Sequence, residues 1–96
     1  MLNLEFTTTV FHWRGPSPFH FVRVPPGEAD NLKAVSGLVT YGWGMVPAVV
    51  RIGKTEWRTA LWPKDGGYIV PLKDAVRKAE GLAVDDEVRV FLTIVL

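Results

Sequence analysis

Apolar and polar residues alternate with period two from residue 2 to residue 13, the pattern of a half-buried strand. Leu2, Leu4, Phe6, Thr8 and Val10 share one face, and Asn3, Glu5, Thr7 and Thr9 share the other. The run Arg14-Gly15-Pro16-Ser17-Pro18 is dense in turn formers, and neither proline can donate to a ladder. Residues 19–24 read as a return strand, so 2–24 is expected to form a β-hairpin. Pro25-Pro26-Gly27 closes it. Ala29, Leu32 and Val35 then fit a short helix over residues 28–36, stopped by Gly37. Residues 38–41 are expected to begin another strand, interrupted at Gly42-Trp43-Gly44.

The strongest hairpin signal lies further on. Two β-rich runs, 46–52 and 55–62, flank Gly53-Lys54, and a Gly-first two-residue loop suits a type II′ turn. That register sets Ile52 opposite Thr55, Val50 opposite Trp57 and Val46 opposite Leu61. It also matches Arg51 with Glu56 on the other face. Residues 63–67 read as an exposed turn, and 68–70 as a strand ending at Pro71. Leu72, Ala75, Val76 and Ala79 form one apolar stripe on a helix over 72–80, with Asp74 and Lys78 as an i,i+4 pair. Gly81 is placed to close this helix in the left-handed conformation, with Leu82 behind it. Asp85-Asp86 turns the chain into a last strand. Its Val88, Val90, Leu92, Ile94 and Leu96 face one way, and Phe91 and Val95 suggest burial of the far end on both sides.

This pattern predicts a mainly β fold with two short helices and about six strands. So few residues bury six twisted strands best by closing them into a small closed or split β-barrel. At 96 residues the chain suits one domain spanning 1–96. The absence of cysteine excludes a disulfide framework and thiolate metal sites and favours a cytoplasmic setting. No segment is apolar for long enough to make a membrane helix. The net charge of +1 gives no global attraction for polyanions. Seven Lys/Arg against four Asp/Glu in residues 51–80 make only a mild basic patch.

The order and spacing of several segments carry a resemblance across nearly the whole chain. They are Gly42-Trp43-Gly44, residues 46–52, Trp57-Arg58-Thr59-Ala60-Leu61, Gly67-Tyr68-Ile69-Val70-Pro71-Leu72-Lys73 and Val76-Arg77-Lys78-Ala79, after an opening hairpin from Phe6 to Val24 and Pro25-Pro26. Together they resemble DUF1905, a family of small bacterial and archaeal domains. The resemblance implies a compact split barrel related to the AbrB/MazE swapped-hairpin proteins, and it implies no established activity. Many relatives carry Gly-Asp before the last strand where this chain has Asp85-Asp86. The turn therefore lacks a glycine at its first place, although Asp tolerates positive φ better than most residues.

Candidate chemistry is sparse. His12 and His20 are the only imidazoles and fall on adjacent strands beside the predicted turn, with His12 continuing the inward even series past Val10. No third or fourth ligand joins them, so neither a metal site nor a cofactor is predicted. Ser17 and Ser36, the only serines, sit beside no evident base, and no catalytic residue is assigned. Trp57 belongs to the core. Trp13, Trp43 and Trp62 fall at strand ends or loops, and with His12 and Arg58 they make the best candidate pocket for a small molecule or peptide. Gly42-Trp43-Gly44 reads first as a bend or bulge and second as a loop presenting an indole. Arg51, Arg58, Lys73, Arg77 and Lys78 form a basic surface, but Glu56, Asp74 and Glu80 interleave with it, and phosphate binding needs several uncompensated cations. Arg77 is expected to reach Asp85 or Asp86. The expected function is a non-enzymatic module, monomeric or homodimeric, that binds a small ligand or a protein partner. The alternatives are a nucleic-acid-binding regulator of the swapped-hairpin type and a small barrel enzyme using His12.

Overall fold

The computed structural model describes residues 1–13, 19–39 and 44–95, with the backbone alone at Phe19, Ser36, Leu38 and Val39. Its elements are β1 (Leu2–Trp13), β2 (Phe19–Arg23), α1 (Pro26–Val39), β3 (Val46–Ile52), β4 (Thr55–Lys64), β5 (Gly67–Leu72), α2 (Asp74–Glu80) and β6 (Glu87–Ile94). The strands close into an antiparallel barrel in the order β1-β2-β5-β4-β3-β6. One chain completes the ring, and closure leaves no edge strand among the described residues to template further pairing.

Two long strands turn the corners. β1 pairs with β6 from Leu2 to Thr9 and with β2 from Val10 to Trp13. β4 pairs with β3 up to Leu61 and with β5 from Trp62 to Lys64. Each therefore belongs to both of two four-stranded sheets. At the first corner the Val10 amide donates to the Asp86 carbonyl at 2.9 Å, and the Val10 carbonyl accepts from the Asp85 amide at 2.8 Å. Three strand prolines sit where a ladder exists on one side only. Pro47 pairs with β4 beyond the reach of β6, Pro63 with β5 beyond β3, and Pro71 with β2 beyond β4. A missing N–H is tolerated at such one-sided positions.

The inward faces fill the barrel. Val10, Val22, Val46, Val50, Leu61 and Ile94 are fully buried there, as the period-two pattern requires. Among the described residues the buried set is wholly hydrophobic. Ala29 and Leu32 of α1 and Val76 of α2 extend this core.

The 46–62 hairpin has the predicted register throughout. Gly53 has φ +59 and Lys54 is not among the positive-φ residues, as a type II′ turn requires. Elsewhere the boundaries differ from the expectation for identifiable reasons. α1 starts at Pro26, whose fixed φ suits the first helical position, and runs through Gly37 to Val39. An exposed helical glycine costs only about 1 kcal/mol and need not stop a helix. Residues 38 and 39 are therefore helical rather than strand, and residues 40–43 lie outside the described set. β5 continues through Pro71 to Leu72, so α2 begins only at Asp74, and Ala75 and Ala79 of the expected stripe are exposed. The exposed turn expected over residues 63–67 narrows to Asp65-Gly66, since residues 63 and 64 extend β4 and Gly67 opens β5. Both turn residues have positive φ, 50° and 78°, the type I′ geometry that Asp-Gly favours. Val95 is exposed and Phe91 half-buried, so the end of the last strand is buried on one face only.

The module after β5 follows the sequence closely. Gly81 is left-handed at φ 64°, the Leu82 amide donates to the Arg77 carbonyl at 2.9 Å, and Leu82 packs against the core. Asp85 takes φ 73°, the left-handed conformation that a glycine would adopt without strain. Asp86 steadies that turn by accepting the Ala83 amide at 2.8 Å on its carboxylate.

Candidate functional site

Three surface features bring chemically useful groups together. The first is the mouth of the barrel. His12 and His20 are direct cross-strand partners with ring centroids 4.7 Å apart, one register step of each face beyond Val10 and Val22, which seal the interior. His12 is exposed and His20 half-buried. With Phe11 and Val84 they line an open groove of about 580 Å³. His20 also pairs with Leu72, so the chain enters α2 beside it. Burial first, then the nearby Arg77 guanidinium and His12, push the His20 pKa below its ordinary 6.5, while Asp74 works against them. Arg77 meets Asp74 at 3.4 Å across one helical turn, and its Nε is buried without a hydrogen-bond partner. The Asp86 carboxylate is engaged by the Ala83 amide. Arg77 thus turns back along its own helix rather than forward to Asp85 or Asp86, and it displaces Lys78 as the partner of Asp74.

The second feature is an aromatic layer outside the barrel, over β1, β2 and β4. The odd positions of β1, with Phe21 and Arg23 of β2, point away from the core, as do Trp62 on β4 and Ile69 on β5. Phe21 stacks on Phe11 at 5.8 Å and meets Trp62 at 5.1 Å and Trp13 at 5.9 Å. Trp13 and Trp62 make an edge contact at 6.5 Å. Phe21 and Ile69 are fully buried although they lie outside the barrel, whereas Trp13 stays 41% exposed. Cations border the layer. The Lys64 ammonium lies 4.2 Å from the centre of the Trp13 ring and the Arg23 guanidinium 5.8 Å from that of Phe11. The Asp65-Gly66 turn brings Asp65 between them, 3.7 Å from Arg23 and 4.0 Å from Lys64.

The third feature is a groove of about 420 Å³ on the outside of the other sheet, bordered by Asn3, Glu5, Arg51, Glu56, Phe91 and Thr93. Its polar groups are largely spent on one another. Thr93 donates to Asn3 at 3.0 Å, and Glu5 meets Arg89 at 3.0 Å, which holds the Glu5 carboxyl below the usual carboxylate range. Arg51 is opposite Glu56 in register, yet its guanidinium lies 4.0 Å from the centre of the Phe91 ring and donates to the Gly53 carbonyl at 2.8 Å. A cation–π contact has taken the place of the expected charge pair.

The model of the family described as "Domain of unknown function (DUF1905)" matches residues 6–92, from the first strand almost to the end of the last. The chain belongs to the DUF1905 family. No curated protein matches it.

In this DUF1905 domain the residues expected to share one pocket divide between two faces. Trp13 and Trp62 meet in the outer aromatic layer. His12 precedes Trp13 on the same strand and therefore points to the opposite face, where it meets His20 instead. It does continue the even series, but past the end of the packed interior, so it is exposed rather than enclosed. Arg58 is exposed and shares the outward side of β4 with Trp62 and Lys64 by alternation. Trp43, with the whole Gly42-Trp43 bend, lies outside the described residues. Trp57 is buried in the core, and its indole Nε1 has no hydrogen-bond partner. Of the basic set, Arg51 is held on Phe91 and Arg77 on Asp74, while Lys73, just before α2, and Lys78 on it are exposed. Sequence reasoning overlooked Phe11, Phe21 and Lys64. The signal was there: Phe11, Trp13 and Phe21 are all odd-numbered aromatics around one turn, on the side away from the core series.

Proposed function

We propose that this DUF1905 domain is a non-enzymatic recognition module that binds an acidic, apolar-anchored segment of a partner protein on its outer aromatic face. The observation that carries this reading is Trp13. It is a large indole left substantially exposed while Phe21 and Trp62 pack against its ring and Phe11 stacks on Phe21. A rigid aromatic on a packed base, bordered by charge, is the usual form of an interface anchor. Arg23, Arg58 and Lys64 stand on this face against Asp65 and, by alternation along β4, Glu56; the cations outnumber the acids and Lys64 borders the exposed indole itself, so the local balance favours carboxylates on the partner.

A small ligand inside the barrel has less support, because core side chains fill that space. The enzyme reading loses the enclosed His12 on which it depended. The nucleic-acid reading, and with it a functional kinship to the swapped-hairpin proteins, has to contend with Arg51 and Arg77 already engaged within the chain. The reading takes the domain to work in a reducing compartment such as the cytoplasm, which its lack of cysteine favours.

Panning a random peptide display library against the domain tests this reading. The expected winners combine Asp or Glu with one aromatic or large aliphatic residue, lose at least about tenfold in affinity on Trp13→Ala, and weaken on Lys64→Glu. Peptides that bind Trp13→Ala as well as the parent, or no enrichment at all, would contradict it.

A further inference from the structure

We infer that His12 and His20 form a two-imidazole chelate for a divalent transition-metal ion at the mouth of the barrel. The pair lies on the other side of β1 from Trp13, and Phe11 borders both the aromatic layer and the groove at the histidines.

The backbone pre-organises this pair. His12 and His20 are directly opposite on antiparallel strands, a position that holds Cβ atoms about 4.5–5.5 Å apart and on the same face of the sheet. Both strands are fixed beyond the pair, β1 by β6 and β2 by β5, so neither imidazole depends on a loop for its position. The ring separation fits a shared metal. With a metal–nitrogen bond of about 2.0–2.1 Å and a ring nitrogen about 1.1 Å from the ring centre, each centroid would sit about 3.2 Å from the ion. Centroids 4.7 Å apart then subtend about 95° at the metal, between the square-planar and tetrahedral angles of Cu(II) and Zn(II) sites.

Among the described residues no third histidine, cysteine or carboxylate completes a cluster with this pair. The remaining coordination positions therefore open onto the groove beside Phe11 and Val84, where water or a donor from another molecule can fill them. This is the arrangement of an open site rather than a closed structural one. The nearby Arg77 opposes a dication, and its partner Asp74 offsets that charge. Neutral imidazole is the ligand form, so binding weakens as the pair becomes protonated in acid.

Zn2+ titration of the intact domain by calorimetry at neutral pH, with His12→Gln and His20→Gln run beside the parent, tests the inference. The parent is expected to bind one Zn2+ saturably and to gain thermal stability from it, and each substitution to weaken binding at least about tenfold. A second measurement needs no variant: sub-stoichiometric Cu2+ should broaden the ring-proton NMR signals of both histidines before any others. Unsaturable binding, equal affinity in either variant, or broadening that starts at carboxylates while the imidazole signals stay sharp would overturn the inference.

Discussion

His20 shows how position alters a residue's chemistry. Half-buried beside Arg77 and His12, it binds its proton less readily than in the unfolded chain. The native state therefore holds fewer protons than the unfolded state just below pH 6.5. Stability from this group is complete above that value and is lost as the pH falls through it toward the lower folded value. Urea midpoints measured from pH 7.5 down to 5 should accordingly decline in the parent and decline less in His20→Gln; identical slopes would remove the effect. Glu5 acts further into acid. Its carboxyl is stabilised in the charged form by Arg89, so its contribution is present above its unfolded pKa and fades as the pH drops below it. One backbone position is equally specific. Asp85 at φ 73° carries a left-handed cost of about 1 kcal/mol that glycine avoids, partly offset by glycine's greater chain entropy. Asp85→Gly should therefore raise the melting temperature slightly, whereas Asp85→Val should lower it.

At the scale of elements, the hairpin of β3 and β4 is locked to α2 at its tip. The Thr55 hydroxyl donates to the Glu80 carboxylate at 2.6 Å, and a Cβ at Gly53 would overlap that same carboxylate. Gly53→Ala thus meets both positive φ and a steric conflict, and a loss of about 1–3 kcal/mol is expected by chemical denaturation. Adding Glu80→Ala should relieve the overlap but not the backbone strain, so the double variant should recover only in part. Much of this element structure was legible in the sequence. Period-two alternation and the Gly53-Lys54 pair fixed one hairpin to the residue, and Gly81-Leu82 fixed the end of α2, because short-range sterics decide those features. Failures came where a local rule was weaker than its surroundings. Gly37 and Pro71 read as stops, yet neighbouring ladders and helix bonds carry the chain through both. The candidate site was read from strand ends without applying the same alternation, so His12 and Trp13 were assigned to one pocket although adjacent strand residues face opposite ways. Arg51 likewise had an acid opposite in register, and no one-dimensional pattern could show that Phe91 from β6 lies closer.

For the molecule as a whole, closure of the barrel separates what holds the fold from what meets other molecules. Val50 and Leu92 are cross-strand partners in the filled interior, and Leu92→Ala should cost about 2–5 kcal/mol without redirecting any surface contact. Trp13→Ala should cost stability modestly, since much of its ring is exposed, and should act chiefly on binding. The central claim is that recognition takes place on the outer aromatic face of β1, β2 and β4. Its most direct test is amide NMR shift mapping of the labelled domain with a peptide selected from the display library. The account predicts shifts concentrated at Phe11, Trp13, Trp62 and Lys64 and at the Trp13 indole N–H, with the far groove at Arg51 and Phe91 unmoved. Shifts centred on that groove, or on His12 and His20 at the barrel mouth, with the Trp13 signals unchanged, would contradict it.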